Sequence, residues 1–127
     1  MALLHEERLQ GVDDILAMIV RKAAVYAEEY SVDLTVSEGL RTKERQQELF
    51  EKGKSKTLNS KHLEGKAVDL YIIRDRKIDW QAFDLLYNCM QRAADDTGAV
   101  IEWGGNWKMR DCPHFQLNKT PLREPTF

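Results

Sequence analysis

From Ala67 to Ile73 the side chains alternate with a period of two, with Val68, Leu70 and Ile72 on one side and Ala67, Asp69, Tyr71 and Ile73 on the other. A strand of that kind has one wholly aliphatic face and one face that carries a carboxylate. It fits a sheet that is covered on one side and open on the other. The same arrangement returns near the C-terminal end, where Phe115 and Leu117 face one way and His114 and Gln116 the other. The chain is therefore expected to fold as an α+β domain: a mostly antiparallel sheet with helices on one face and a site on the open face.

The helical periods supply the covering layer. Val12, Ile15, Leu16, Ile19, Ala23, Ala27 and Tyr30 recur at steps of three and four, which predicts one amphipathic helix over about residues 8–30. Val32, Leu34 and Val36 then alternate with Asp33, Thr35 and Ser37 as a short strand. Thr42 is expected to cap a second helix carrying Gln46, Leu49 and Phe50, with Gly53 as its stop, and the polar run KGKSKTLNSK reads as a loop. Asp79 is expected to cap a third helix through Phe83, Leu86, Tyr87 and Met90, closed by Gly98. VIEW at 100–103 gives another strand, and a Gly-Gly loop leads into the last one.

Length and composition fit one domain over residues 1–127: 43% of the side chains are hydrophobic, and no internal period suggests repeats. Two cysteines make no disulfide framework, and Cys89 reads as a small apolar core residue. Lys and Arg number 19 against 21 Asp and Glu, so the chain lacks the basic field that drives phosphate-backbone binding, and nucleic acid is not expected as a partner. No stretch approaches the roughly 18 apolar residues of a membrane span. Charges from His5 and Glu6 onward leave no uninterrupted apolar signal segment, so synthesis is expected to end in the cytoplasm. A monomer is expected, and His5 is assigned no role.

Chemistry concentrates in SKHLEGKAVDL, residues 60–70, and DCPHFQL, residues 111–117. A catalytic zinc ion takes three protein ligands and keeps a fourth position for water, and His62, Asp69 and His114 would supply them. With only one carboxylate the site stays net positive, which makes bound water acidic enough to ionise near neutrality. Hydrolysis also needs a base to carry the water proton to the leaving amine. Asp111, three residues before His114, is the candidate, with Glu102 as a competitor. Arg41, directly after the first strand in SEGLRT, offers a permanent planar cation for the substrate, although Glu38 could simply pair with it. Cys112 lies beside the ligands, but strand alternation points it away from His114. Trp107 could flank a groove, as could Trp103. Lysines 52, 54, 56, 61 and 66 could attract the carboxylates of an acidic substrate, or be a solvated loop.

The runs SEGLRT, SKHLEGKAVDL, EWGGNW and DCPHFQL resemble the zinc peptidases grouped as L-alanyl-D-glutamate peptidases and D-alanyl-D-alanine carboxypeptidases, which share a fold with the hedgehog signalling domain. The likeness spans about Ser37 to Leu117 and rests on Ser-x-His-x-x-Gly-x-Ala-x-Asp followed by Asp-x-x-His. It implies zinc on His62, Asp69 and His114, a base at Asp111 and a substrate-polarising Arg41. Ser60, Ser37 and Trp107 would bind substrate or support the site, and Gly65 and Ala67 would allow close packing around it. The small endopeptidases of bacteriophage lysis are the most similar group, through the Trp-Gly-Gly-x-Trp loop. The implied substrate is the L-Ala–D-Glu bond of the peptidoglycan stem peptide, reached after release of the protein to the cell wall. D-Ala-D-Ala carboxypeptidase activity and a non-catalytic zinc-stabilised binding module are the alternatives.

Overall fold

The computed structural model describes residues 3–55 and 60–119. In chain order the elements are β1 (Leu3–Leu4), α1 (Asp14–Glu28), β2 (Asp33–Glu38), α2 (Lys43–Glu51), β3 (Ala67–Arg74), β4 (Lys77–Ile78), α3 (Phe83–Thr97), β5 (Val100–Trp103) and β6 (His114–Lys119), with short 3-10 turns at Glu6–Leu9, Lys61–Glu64 and Gly104–Asn106. The strands form one sheet in the order β1-β2-β3-β6-β5, and β4 pairs with β3 off that path. Only the β1–β2 pair is parallel; the others are antiparallel. This is the expected α+β arrangement.

The aliphatic face of the alternating strands is where the core sits. Val68, Leu70 and Ile72 of β3, Leu34 and Val36 of β2, and Phe115 and Leu117 of β6 are buried against Leu16, Ile19, Val20 and Ala23 of α1 and Leu86 and Met90 of α3. Asp69 and Tyr71 stay partly accessible on the opposite face. Burying each large aliphatic side chain is worth about 1.5–3 kcal/mol, so the covered face holds the sheet and leaves the open one free to carry polar groups.

Three boundaries differ from the sequence expectation. The helix expected over 8–30 is two pieces: the chain turns at Gly11, with φ +82°, and α1 starts only after Asp13, whose carboxylate accepts hydrogen bonds from the amides of Ile15 and Leu16. A local cap here overrides a periodicity that continues through it, and Tyr30, beyond the end of α1, is exposed. Asp79 does not cap α3. Its side chain accepts from the amide of Gln81 in a turn, and the helix begins after Ala82 without a side-chain cap. β1 and β4, two residues each, were absent from the expected order. Thr42 caps α2 as expected, and Gly53 and Gly98 adopt the left-handed conformation at their helix ends.

One irregularity positions the site. In the β2–β3 pair Val36 lies opposite Leu70, but Glu38 lies opposite Asp69, so β2 carries one extra residue at Ser37. This bulge shifts Glu38 onto the register position beside Asp69. On the other side of β3, Asp69 pairs with His114. Glu38, Asp69 and His114 thus lie abreast on three adjacent strands.

Candidate active site

His62 sits on the 3-10 turn Lys61–Glu64, held at both ends by local chemistry. The Ser60 hydroxyl accepts from the His62 amide, and Gly65 closes the turn with φ +70°. A side chain at Gly65 would collide with the Gly11 carbonyl, and the Asp13 amide donates to the Gly65 carbonyl at 2.8 Å, so this turn is packed onto the N-terminal segment. The Arg41 amide donates to the His62 carbonyl at 2.9 Å. The imidazole is buried and its Nδ1 lies 2.8 Å from the Gly39 carbonyl. A carbonyl accepts only, so Nδ1 carries the proton and the lone pair of Nε2 faces the sheet.

His114 is fixed the opposite way round. Its Nε2 lies 2.9 Å from Gln116 Oε1, which leaves Nδ1 as the acceptor. The two free nitrogens converge on one carboxylate oxygen: His62 Nε2 and His114 Nδ1 are each 3.4 Å from Asp69 Oδ1. All three ligand atoms lie within 4.8 Å of one another. Tetrahedral coordination with bonds of about 2.0–2.1 Å sets neighbouring donors about 3.3–3.4 Å apart, which the two distances to Asp69 Oδ1 match. His62 Nε2 and Asp69 Oδ1 are buried and have no hydrogen-bond partner among the described residues. Orphaned buried acceptors facing each other are costly in the absence of a cation. The donor set therefore fits a metal such as zinc.

The electrostatics follow from this convergence. Burial alone would push the Asp69 carboxyl up, but the two imidazoles outweigh it and hold Asp69 below the usual carboxylate range. For His114, burial acts downward, and the Asp69 carboxylate and Gln116 Oε1, which favour the protonated ring, overcome it and raise the imidazole above its ordinary value. Asp111 stands at the edge of the cluster, its Oδ2 4.0 Å from His114 Nδ1 and its side chain half exposed. Burial first, and then the charge of Asp69, raise its carboxyl. The backbone holds it there: the Asp111 amide donates to the Gly104 carbonyl, the His114 amide to the Asp111 carbonyl, and any side chain on Gly104 would strike Asp111.

Arg41 is brought to the same place and is nearly buried, with Nη2 3.8 Å from Asp69 Oδ2. It also makes the pairing with Glu38 that the sequence left open. Nε and Nη2 grip the two Glu38 oxygens at 2.7 and 2.8 Å, and Nη1 donates to Gln46 Oε1 at 2.7 Å. Glu102 accepts from Trp107 Nε1 at 2.5 Å and from Asn118, and these bonds keep its carboxylate low. Trp107 lies with its ring 5.0 Å from that of His114. Ser37 lines a shallow cleft with Arg8, Glu38 and Leu40 at the end of β2. Cys112 is outside the ligand group, its carbonyl accepting from Trp103 Nε1. Of the candidate lysines, Lys52 pairs with Glu48 and Lys61 with Glu64, and Lys56 lies outside the described residues.

Sequence reasoning missed the supports. Gln116 was visible only as a neighbour on the His114 face, and Gln46 only as a helix position. The Gly39 carbonyl has no side-chain signal at all.

A family model for phage L-alanyl-D-glutamate peptidases matches residues 2–121. The L-alanyl-D-glutamate peptidase of Listeria phage A118 is 32% identical over 108 residues, which cover 84% of this chain and 38% of that protein. The chain thus spans less than half the length of that relative. Among solved structures, the Serratia marcescens L-Ala D-Glu endopeptidase ChiX superposes with a TM-score of 0.82 at 40% identity, over 89% of this chain and 85% of its own. VanY, a vancomycin resistance D,D-pentapeptidase crystallised in complex with Zn(II), has the same fold at a TM-score of 0.62 and 18% identity, over 84% of this chain and 72% of its own.

Proposed function

The chain belongs to the phage L-alanyl-D-glutamate peptidase family, and from that premise we propose that it is a zinc peptidase that hydrolyses the L-Ala–D-Glu bond of peptidoglycan stem peptides. The observation that carries the reading is the pair of orphaned acceptors, His62 Nε2 and Asp69 Oδ1, converging with His114 Nδ1, each imidazole nitrogen 3.4 Å from Asp69 Oδ1.

His62, Asp69 and His114 are the ligands. A zinc ion held by them supplies Lewis acidity, which polarises the scissile carbonyl and acidifies a water molecule. Asp111 takes the proton of the attacking water and delivers it to the leaving amine of D-Glu. This side chain stands at the edge of the cluster, its Oδ2 4.0 Å from His114 Nδ1, within reach of a water held there. Arg41, held by Glu38 and Gln46, presents a fixed positive charge to the oxygen that becomes negative as the bond is attacked. Ser60 keeps His62 in place through its amide, and Trp107 packs on His114. Ser37 and its cleft, which Glu38 also lines, offer a place for substrate.

A purely structural metal site would need neither Asp111 nor Arg41, which argues against a binding module. No described helix is long and apolar enough to cross a membrane. The protein acts on the wall after release from the cytoplasm, as a monomer.

Mass spectrometry of products from uncrosslinked muropeptides tests the bond. Cleavage as proposed leaves L-Ala on the muramic acid and frees a peptide that begins with D-Glu. Release of D-Ala alone would replace the endopeptidase with a carboxypeptidase and keep the zinc chemistry. No product from any wall fragment would favour the binding module.

A further inference from the structure

The open face of the sheet does not end at the metal cluster. Two residues beyond Asp69 on β3, on the same face, lies Tyr71, and its ring meets that of Trp80 edge-on at 5.4 Å and that of Phe83 at 6.0 Å. Phe83 is packed against the core, but Trp80 is 65% exposed. Tyr71 shares the open face of β3 with Asp69, so this aromatic group is contiguous with the site. The turn that carries Trp80 is stiff: Asp79 accepts from the Gln81 amide and is bridged to Arg74 at 3.0 Å, while β4 anchors its start through Ile73 and Ile78. A large apolar ring held rigidly in water beside a catalytic cluster is preorganised for a ligand.

We infer that Trp80, braced by Tyr71, is a platform for the sugar ring that bears the stem peptide. This rests on the peptidase reading above and adds to it the part of the substrate that is not peptide. A pyranose presents an apolar C–H face that packs on an aromatic ring, while its hydroxyl and acetamide groups point to the edges. Here the residues on either side of Trp80 in the chain, Asp79 and Gln81, are polar, and Asp79 is bonded to Arg74. The stem itself is acidic and extended, and an uncharged aromatic surface offers it little.

The reach agrees. Between the scissile carbonyl and the muramic ring lie only L-Ala and the short lactyl ether, a span of roughly 7–10 Å at about 3.5 Å per residue length. From Asp69 to Tyr71 the strand advances about 7 Å, within that span, and the Tyr71 ring is the one that Trp80 meets edge-on. A substrate whose scissile bond is at the cluster and whose acyl side runs along β3 brings its sugar to the Tyr71–Trp80 pair.

The test compares the zinc-loaded parent with Trp80→Ala and Trp80→Phe on two substrates: a muropeptide, and the same stem peptide carrying the lactyl group but no sugar. Trp80→Ala is expected to raise KM on the muropeptide roughly three- to tenfold, the scale of one aromatic contact, with kcat little changed. Trp80→Phe should recover most of the loss, and neither variant should alter kinetics on the sugar-free peptide. Equal loss on both substrates, or loss on neither, overturns the platform.

A second measurement needs no turnover. N-acetylmuramoyl-L-alanine is titrated into the zinc-loaded protein while NMR follows the indole signal that disappears in Trp80→Ala. A saturable shift supports the sugar contact even if no wall bond is cut, in which case the peptidase reading alone fails. An unmoved signal overturns the platform even if the parent cleaves muropeptides. A concentration-dependent dimer dispersed by Trp80→Ala would assign the ring to a second copy of the chain, and also overturns it.

Discussion

Removing zinc and returning it at two pH values probes the ligand geometry directly. If the ion binds only the folded chain, a free concentration about a thousandfold above Kd stabilises the fold by about 4 kcal/mol. For a chain of this size each kcal/mol moves Tm by about 3–5 °C, so zinc at pH 7.5 is expected to raise Tm by roughly 12–20 °C. The proton competes for the same lone pair of His114. That imidazole, raised above its ordinary value by Asp69 and Gln116, is protonated at pH 5.5. Lowering the pH by two units then costs up to about 100-fold in affinity, or 2.7 kcal/mol, which leaves a Tm gain of roughly 4–7 °C. The metal-free fold runs the other way. A raised histidine contributes stability that is fully present below about pH 6.5, the unfolded value, and is lost as pH rises through the higher folded value. Asp69, held low, contributes stability above its unfolded value of about 3.8 and loses it only in stronger acid. Differential scanning calorimetry of metal-free and zinc-loaded protein at both pH values reads the difference. An equal zinc-induced gain at the two pH values, or an undiminished gain in His114→Ala, would refute the assignment of His114 Nδ1 as a ligand.

Asp111→Asn should leave zinc content at the parent level by elemental analysis and lower kcat by about 10²–10⁴-fold. Full activity in this variant would transfer the base to Glu102. Glu102→Gln, in contrast, disturbs only the bonds to Trp107 and Asn118, so it should cost about 0.5–1.5 kcal/mol by urea titration with kcat within about twofold of the parent. Gln46→Leu strips an acceptor from the Arg41 guanidinium and should lower stability by about 1.5–3 kcal/mol at an unchanged denaturant slope. A neutral result would mean that Arg41 finds another partner.

What was legible in the sequence was what a period of two can encode. His114 and Asp69 lie opposite the aliphatic positions of their strands, so the open face and two of the ligands follow from alternation, and His62 follows from the motif that leads into β3. The bulge at Ser37 was not legible, because one inserted residue leaves the pattern Val32, Leu34, Val36 intact and acts only on what comes after it. Glu38 therefore read as one possible partner of Arg41, not as part of the row with Asp69 and His114. The break at Gly11 and Asp13 was hidden by Val12, which keeps the helical period through a turn. Two-residue strands such as β1 and β4 carry too few positions for any period. Gln46 and Gln116 owe their importance to partners that come together only in the folded chain.

The three proposed metal ligands come from a turn before β3, from β3 itself and from β6, so the β3–β6 closure separates His62 and Asp69 from His114. No two of them are neighbours in sequence, so an unfolded chain offers zinc only scattered single donors. The complete site appears when β6 docks between β3 and β5, after most of the chain entropy has been lost. An ion that engages only this last arrangement stabilises the native state more than the barrier before it. Zinc should therefore leave the refolding rate nearly unchanged and slow unfolding by almost its full binding free energy, about a thousandfold for 4 kcal/mol. Each molecule, once loaded, is expected to stay folded for far longer than its metal-free counterpart.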